Sequence, residues 1–359
     1  MDAPYDAVLL VSFGGPDGPD DVLPFLENVL RGRNVPRERM LEVAEHYHHF
    51  GGKSPINEQN LALLASLRAE LDRRGPHIPV YWGNRNWHPL LTDTIREMAD
   101  AGVKRAIAFV TSAYSSYSGC RQYRENIAAA CAALGDRAPQ IDKIRVFFNH
   151  PGFVGPMAEN VVAALARFPE DVRAETAVLF TAHSIPQSMA DGCRYRAQLE
   201  EACRLVAERA DVSRWKLVYQ SRSGPPTQPW LEPDICDAIR DLHAAGGRRV
   251  VIAPIGFISD HMEVLYDLDT EAAALCQDLG IDMVRANTVG TAPAFIGMVR
   301  DLIAERQGLL SERAAIGRLP ASHDVCPLDC CPAPAARPAG QPGGRPAGQP
   351  VGQPGTRPA

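Results

Sequence analysis

Val250-Val251-Ile252-Ala253-Pro254-Ile255-Gly256-Phe257-Ile258 runs directly into Ser259-Asp260-His261-Met262-Glu263-Val264-Leu265-Tyr266-Asp267-Leu268-Asp269-Thr270-Glu271. The first stretch reads as a strand buried on both faces, and the second as a helix starting at its end. A second junction has the same form. Ala177-Val178-Leu179-Phe180 leads into Thr181-Ala182-His183-Ser184-Ile185-Pro186. In an open α/β sheet the carboxyl ends of the strands are where ligands bind. A histidine and a row of carboxylates are therefore expected to face one cleft.

Outward from these junctions, apolar runs of strand length alternate with helical patterns. Strands are expected at Ala7–Ser12, 80–82, 106–111, 144–148, 177–181, 217–220, 250–254 and 281–285. Helices are expected at 57–72, 90–101, 120–134, 154–167, 198–210, 232–245, 263–279 and 292–306. Alternation of this kind predicts an α/β fold with parallel sheets flanked by helices. The two halves share an outline. Val80-Tyr81 is followed by Arg85, a helix and a strand ending in a Ser/Tyr loop. Val218-Tyr219 is followed by Arg222, a helix and a strand ending in the Asp-His-Glu loop. We expect two similar Rossmann-like domains, 1–150 and 151–320, joined near His150-Pro151-Gly152, where Pro and Gly suit a crossover. A cysteine-rich segment, 321–332, and a Pro/Gly/Arg/Gln-rich tail, 333–359, follow. The tail has almost no apolar side chains to bury and is expected to be disordered.

On a helix, Glu263, Asp267 and Glu271 stack on one face at successive four-residue steps. An exposed acidic face is the ordinary reading of such a row. Its place at the end of a buried strand, opposite a second strand ending in His183, favours a cleft that shares protons and attracts hydrated cations. Imidazole titrates near neutrality and is a common metal ligand. One His with one Glu is too few for a tight permanent site. A metal there would be held in transit. Gly14-Gly15-Pro16 lacks the spacing of a phosphate-binding loop and reads as a tight turn that lets backbone approach a flat ligand. Phe13 beside it suits either a macrocycle or the core.

The chain has 359 residues, 45% of them apolar, with a net charge of −6 and scattered basic residues. Nucleic acid is not an expected partner, since its footprint is a basic patch. No targeting segment or membrane-length apolar stretch is visible, so a cytosolic protein is expected, with transient membrane contact left open. Nine cysteines without a secretory signal argue against a disulfide framework. Cys326, Cys330 and Cys331 crowd together and, with a fourth ligand from the body, suit zinc or an iron–sulfur cluster. Reduced thiols on a mobile linker are the plainer alternative.

Several motifs carry a family resemblance. They are Leu9-Leu10-Val11-Ser12-Phe13-Gly14-Gly15-Pro16, His46-Tyr47-His48-His49-Phe50-Gly51-Gly52-Lys53-Ser54-Pro55-Ile56-Asn57, Tyr81-Trp82-Gly83-Asn84-Arg85-Asn86-Trp87, Ser112-Ala113-Tyr114-Ser115-Ser116-Tyr117-Ser118-Gly119-Cys120-Arg121-Gln122-Tyr123, and Tyr219-Gln220-Ser221-Arg222-Ser223-Gly224-Pro225-Pro226 with Pro229-Trp230-Leu231. Together with the two junctions, and in this order over about residues 5–315, the chain resembles the ferrochelatases, most of all the actinobacterial branch acting on coproporphyrin III. The resemblance implies a lyase of haem biosynthesis that inserts Fe2+ into a porphyrin held in a cleft between the domains. It implies that His183 and Glu263 are the metal-inserting pair, and that Asp267 and Glu271 continue an acidic path. Ser54, Tyr123 and Phe13 would line the porphyrin site. It also implies a [2Fe-2S] cluster on Cys326, Cys330 and Cys331, with Cys193 as first choice of fourth ligand and Cys131 as second. Adjacent Cys330 and Cys331 would strain such ligation. Coproporphyrin-using relatives from other bacteria often carry Tyr where Phe13 stands, and Phe cannot ligate product iron. Arg31, Arg33 and Lys53 are candidate partners for the extra propionates. Transient contact with adjacent haem-pathway enzymes is expected. The alternatives are protoporphyrin IX as substrate, a chelatase for cobalt or nickel with another tetrapyrrole, and a non-catalytic haem or iron–sulfur carrier. A carrier has no use for a proton path.

Overall fold

All six residues of β1, Ala7–Ser12, are buried, as a parallel strand covered by helices on both faces requires. A computed structural model describes residues 4–32, 35–224 and 227–333. The first half runs through α1 (Val22–Leu30), α2 (Arg37–His49), α3 (Ile56–Arg74), β2 (Val80–Asn84), α4 (Leu91–Asp100), β3 (Arg105–Val110), α5 (Gln122–Leu134) and β4 (Gln140–Lys143). The second contains α6 (Pro151–Leu165), α7 (Glu170–Arg173), β5 (Ala177–His183), α8 (Gln187–Asp191), α9 (Tyr195–Arg209), β6 (Trp215–Gln220), α10 (Ile235–Ala244) and β7 (Arg249–Ala253). It ends with α11 (Met262–Val264), α12 (Ala273–Asp278), β8 (Asp282–Arg285) and α13 (Pro293–Arg306).

The strands form two four-stranded sheets of the same order, β2-β1-β3-β4 and β6-β5-β7-β8, with every pair parallel. The expected α/β fold of two Rossmann-like units is therefore observed. Each sheet reverses direction beside its first strand, at β1/β3 and at β5/β7, and a crevice opens at such a switch point. His183 ends β5 and Glu263 follows β7, so both stand at the second switch point. The Phe13-Gly14-Gly15 turn and the Ser112–Tyr123 loop follow β1 and β3, at the first.

The two halves share one core. Phe109 of β3, Phe147, Phe153 of α6 and Phe295 of α13 are fully buried, with ring centroids 5.3–6.5 Å apart. A separate small core of Val22, Phe25, Leu26, Met40 and Ala44 holds α1 against α2, a helical flap whose His46 packs on Tyr266 of the second half.

Three expectations need correction. The run 144–148 is not a strand: β4 ends at Lys143, and the apolar residues that follow are buried because the chain dives between the halves. Residues 263–279 are not one α-helix. A π-helix, Leu265–Ala272, lies between α11 and α12. A π turn, Tyr117–Arg121, likewise precedes α5. Helices α1 and α2 were not anticipated: α1 is a short apolar run containing Pro24, and α2 is largely charged and buries only Met40 and Ala44. The repeats from residue 334 onward, Arg33 and Pro225-Pro226 lie outside the described residues. No helix among the described residues is long and apolar enough to cross a membrane.

Candidate active site

The Nδ1 atom of His183 bonds the carbonyl of Ser184. A carbonyl only accepts, so in the neutral ring Nδ1 carries the hydrogen and Nε2 presents a lone pair. That Nε2 lies 3.6 Å from Oε2 of Glu263, too far for a good hydrogen bond between them. Both side chains are partly open to solvent, at 34% and 51% exposure, so each remains available to a bound molecule.

Behind Glu263 the acidic row is intact. Asp267 accepts from Nε2 of Gln220 (3.1 Å) and from the Ser221 hydroxyl. Burial pushes its carboxyl up to about 7, and the charges of Glu263 and Glu271 push the same way against the Ser221 and Gln220 hydrogen bonds. Glu271 is also raised, by burial and then by Asp234. Asp234, the N-cap of α10, therefore extends the row and was missed in the sequence, where it lies on a different element. His261 is lowered by burial, more than neighbouring Glu263 raises it. The phenol of Tyr47, on α2, is pushed up by burial and then by the nearby charge of Glu263.

The first half supplies the turn after β1, while Tyr123 is 5% exposed and packs in the core. Gly14 has φ +81°, and a Cβ there would sit 2.8 Å from Cβ of Asn84; one on Gly15 would sit 2.7 Å from Cβ of Ser54. Only glycine fits this turn. Ser54 is 2% exposed, its side chain packed under Gly15 as a support rather than open to the cleft. Phe13 is 36% exposed, packing edge-on against Phe25 and beneath the Arg85 guanidinium (5.7 Å). Arg85 also covers the ring of Tyr123 at 4.5 Å and bonds Asn126 (2.6 Å). The sequence marks Arg85 within a motif and as the counterpart of Arg222; its position between two aromatic rings emerges only from the fold. Lys53 is ion-paired with Glu58, and Arg31 bonds Asn28 (2.5 Å).

The cysteines gather elsewhere, where the C-terminal strap meets the loop after β3. The neighbouring Cys326 thiol holds Cys120 below its ordinary range against the effect of burial. Sγ of Cys330 lies 3.6 Å from Sγ of Cys331. Cys193 is close enough for Cys330 and Cys120 to affect its charge. Cys131 is not in the group: it packs in the core under α4 and α5, its thiol near the Pro139 carbonyl. Cys120, in the Ser-Tyr-Ser-Gly-Cys motif, is the buried body thiol the sequence reading overlooked.

A family model described as Ferrochelatase matches residues 5–307. The chain belongs to the ferrochelatase family. A protein named Ferrochelatase from Rhodopirellula baltica is 60% identical over 329 residues, 91% of this chain and 93% of the relative. A Coproporphyrin III ferrochelatase from Streptomyces griseus is 56% identical, covering 93% of this chain and 95% of the relative. One of the same name from Mycolicibacterium smegmatis is 50% identical over 88% of this chain and 94% of its own length. Among solved structures, SirB from Bacillus subtilis with Fe3+ shares the fold, with a TM-score of 0.50 and 14% identity, over 84% of this chain and 97% of that one. The matched range takes in every strand of both sheets and both switch points.

Proposed function

We propose that this enzyme inserts Fe2+ into coproporphyrin III, giving the iron coproporphyrin of haem biosynthesis. The observation that carries the reading is the Nε2 lone pair of His183 facing Glu263 at 3.6 Å, with a carboxyl near neutrality behind them. Relatives at 50–56% identity carrying the coproporphyrin III name support the substrate.

Insertion releases two pyrrole protons and requires a flat ring to bend. The macrocycle lies between the Phe13-Gly14-Gly15 turn, with Tyr123 and Arg85 beside it, and the His183–Glu263 pair. Rigid walls from two sheets hold it bent, so binding energy favours the distorted state. His183 Nε2 takes a pyrrole proton as Fe2+ enters. Glu263 takes the other and passes it to Asp267, whose carboxyl near neutral pH both accepts and gives. Glu271 and Asp234 carry it outward.

The same proposal takes residues 1–150 and 151–320 as the two domains, each sheet being built from consecutive strands. A cytoplasmic setting, with transient contact with neighbouring pathway enzymes, belongs to it too; nine unpaired thiols support that setting. A [2Fe-2S] cluster is also part of it. The donor chemistry fits: Sγ of Cys330 and Sγ of Cys331 are 3.6 Å apart, and Cys120, Cys326 and Cys193 lie near enough for their charges to affect one another. Bound there, the cluster would cross-link the strap to the body as a thiolate-held group.

The 60% identical relative named simply Ferrochelatase keeps protoporphyrin IX as the second reading. Anaerobic Fe2+ insertion with both porphyrins side by side separates them. Faster turnover of coproporphyrin III is expected; equal or faster turnover of protoporphyrin IX overturns the substrate assignment. Turnover of neither by folded enzyme overturns the reaction.

A further inference from the structure

His323 stands one turn before the cysteine cluster, on the strap between α13 and the tail. Its Nε2 lies 3.7 Å from Sγ of Cys330. The donor atoms of His323, Cys326 and Cys330 all fall within 4.8 Å of one another. A tetrahedral metal bound by thiolate and imidazole, with bonds near 2.3 and 2.0 Å, has sulfur–nitrogen edges of about 3.5 Å. The His323–Cys330 separation is close to that edge. Buried Cys120 and Cys326 lie close enough for each thiol to shift the charge of the other, which sets a third sulfur, from the body of the protein, beside the group.

The loop is held in place by groups outside the cluster. Nη2 of Arg313 bonds the carbonyl of Ser322 (2.5 Å) and the carboxylate of Asp324 (3.1 Å), so the residues on both sides of His323 are gripped by one guanidinium. Nη1 of Arg121 donates to the carbonyls of Leu328 (3.1 Å) and Cys330 (3.3 Å), fixing the far end. An imidazole and thiols pinned at ligand spacing form a prepared site. Cys331 is the competing donor. It sits next to Cys330 with a left-handed backbone, φ +52°, and two sulfurs from successive residues crowd one metal.

We propose that His323 is a metal ligand and that, with Cys120, Cys326 and Cys330, it forms a site of one imidazole and three thiolates for a thiophilic metal. The proposal rests on the thiolate-site reading above and changes its donor set. Mixed nitrogen–sulfur ligation serves a zinc ion or a two-iron cluster, and the experiment tells these sources apart.

The full chain is purified anaerobically, and iron, zinc and acid-labile sulfide are measured per chain. Iron with sulfide identifies the cluster; zinc without sulfide identifies the single ion. The reduced cluster is then examined by pulsed EPR for imidazole nitrogen coupling. The single-ion form is examined after Co2+ replacement, through its thiolate-to-cobalt charge-transfer bands, which the thiol-free His183–Glu263 pair cannot produce. We expect a nitrogen coupling, or a three-sulfur cobalt spectrum, that is lost in His323→Ala and moves to an all-thiolate signature in His323→Cys. Cys331→Ser should leave it unchanged. A signature untouched by His323→Ala but abolished by Cys331→Ser or Cys330→Ser would sink the His323 assignment and leave the all-thiolate cluster standing. A wild-type chain retaining no metal or sulfide, and giving no charge-transfer band with Co2+, would remove both.

Discussion

The imidazole of His46 lies flat on the ring of Tyr266, centroids 3.7 Å apart and planes 7° from parallel. This stack joins the flap of the first half to the π-helix of the second, one residue from Asp267. Burial lowers the imidazole pKa, and Arg39 lowers it further, so the pair meets as two neutral rings. A stacked pair contributes about 1 kcal/mol, a factor of about five in an equilibrium. We predict that His46→Ala speeds porphyrin binding and release and raises KM by about that factor, while His46→Phe restores the wild-type values. Stopped-flow quenching of porphyrin fluorescence would show it; identical release rates in all three proteins would remove the stack as a closure.

His183→Ala and Glu263→Gln should each reduce turnover by about a hundredfold or more, in the range of a lost acid–base group. Neither side chain is buried, so the melting temperature should stay within a few degrees. Near-normal turnover by folded His183→Ala would exclude it from the reaction.

Asp267 carries a pH signature. Its carboxyl rises from 3.8 to about 7 on folding, so between those values the folded chain holds a proton that the unfolded chain has released. Stability therefore falls as pH rises through that window and levels off above it. Asp267→Asn should remove this component, becoming the more stable protein at pH 8, while slowing proton export and turnover. Melting curves taken across the window test it; parallel curves for the two proteins would contradict the raised carboxyl.

Arg145 and Glu305 form a buried pair, 1% and 8% exposed, with bonds of 2.7 and 3.0 Å. Burial alone would raise the Glu305 carboxyl, but Arg145 and Arg313 hold it below its ordinary range. Arg145→Ala strands that charge and should cost about 3–5 kcal/mol, whereas Arg145→Met with Glu305→Leu should recover most of it. Denaturant titration of the three proteins decides.

The central strands were legible because parallel strands covered on both faces must be continuous apolar runs, as in Val250–Ala253. His183, Glu263 and Asp267 were legible because they follow such runs. What hid was set by tertiary contact. The flap helices bury only a narrow stripe, and the 144–148 run is apolar through burial between the halves rather than through strand pairing. Asp234 joins the acidic row from another element, and Cys120 reaches the strap from about two hundred residues away. No local pattern announces a π-helix, so the spacing of Glu263, Asp267 and Glu271 was read on the wrong helix.

Phe295 has a consequence for how the chain is made. Phe109, Phe147 and Phe153 are synthesised early, yet their remaining ring contact comes from α13, near the end of the fold. During translation at about 5–20 residues per second, the first sheet waits on the order of ten seconds or more with that aromatic face uncovered. The nascent protein thus passes through a stage in which half of it is built but unsealed. A ribosome pausing within the second sheet would prolong that exposure to chaperones and proteases.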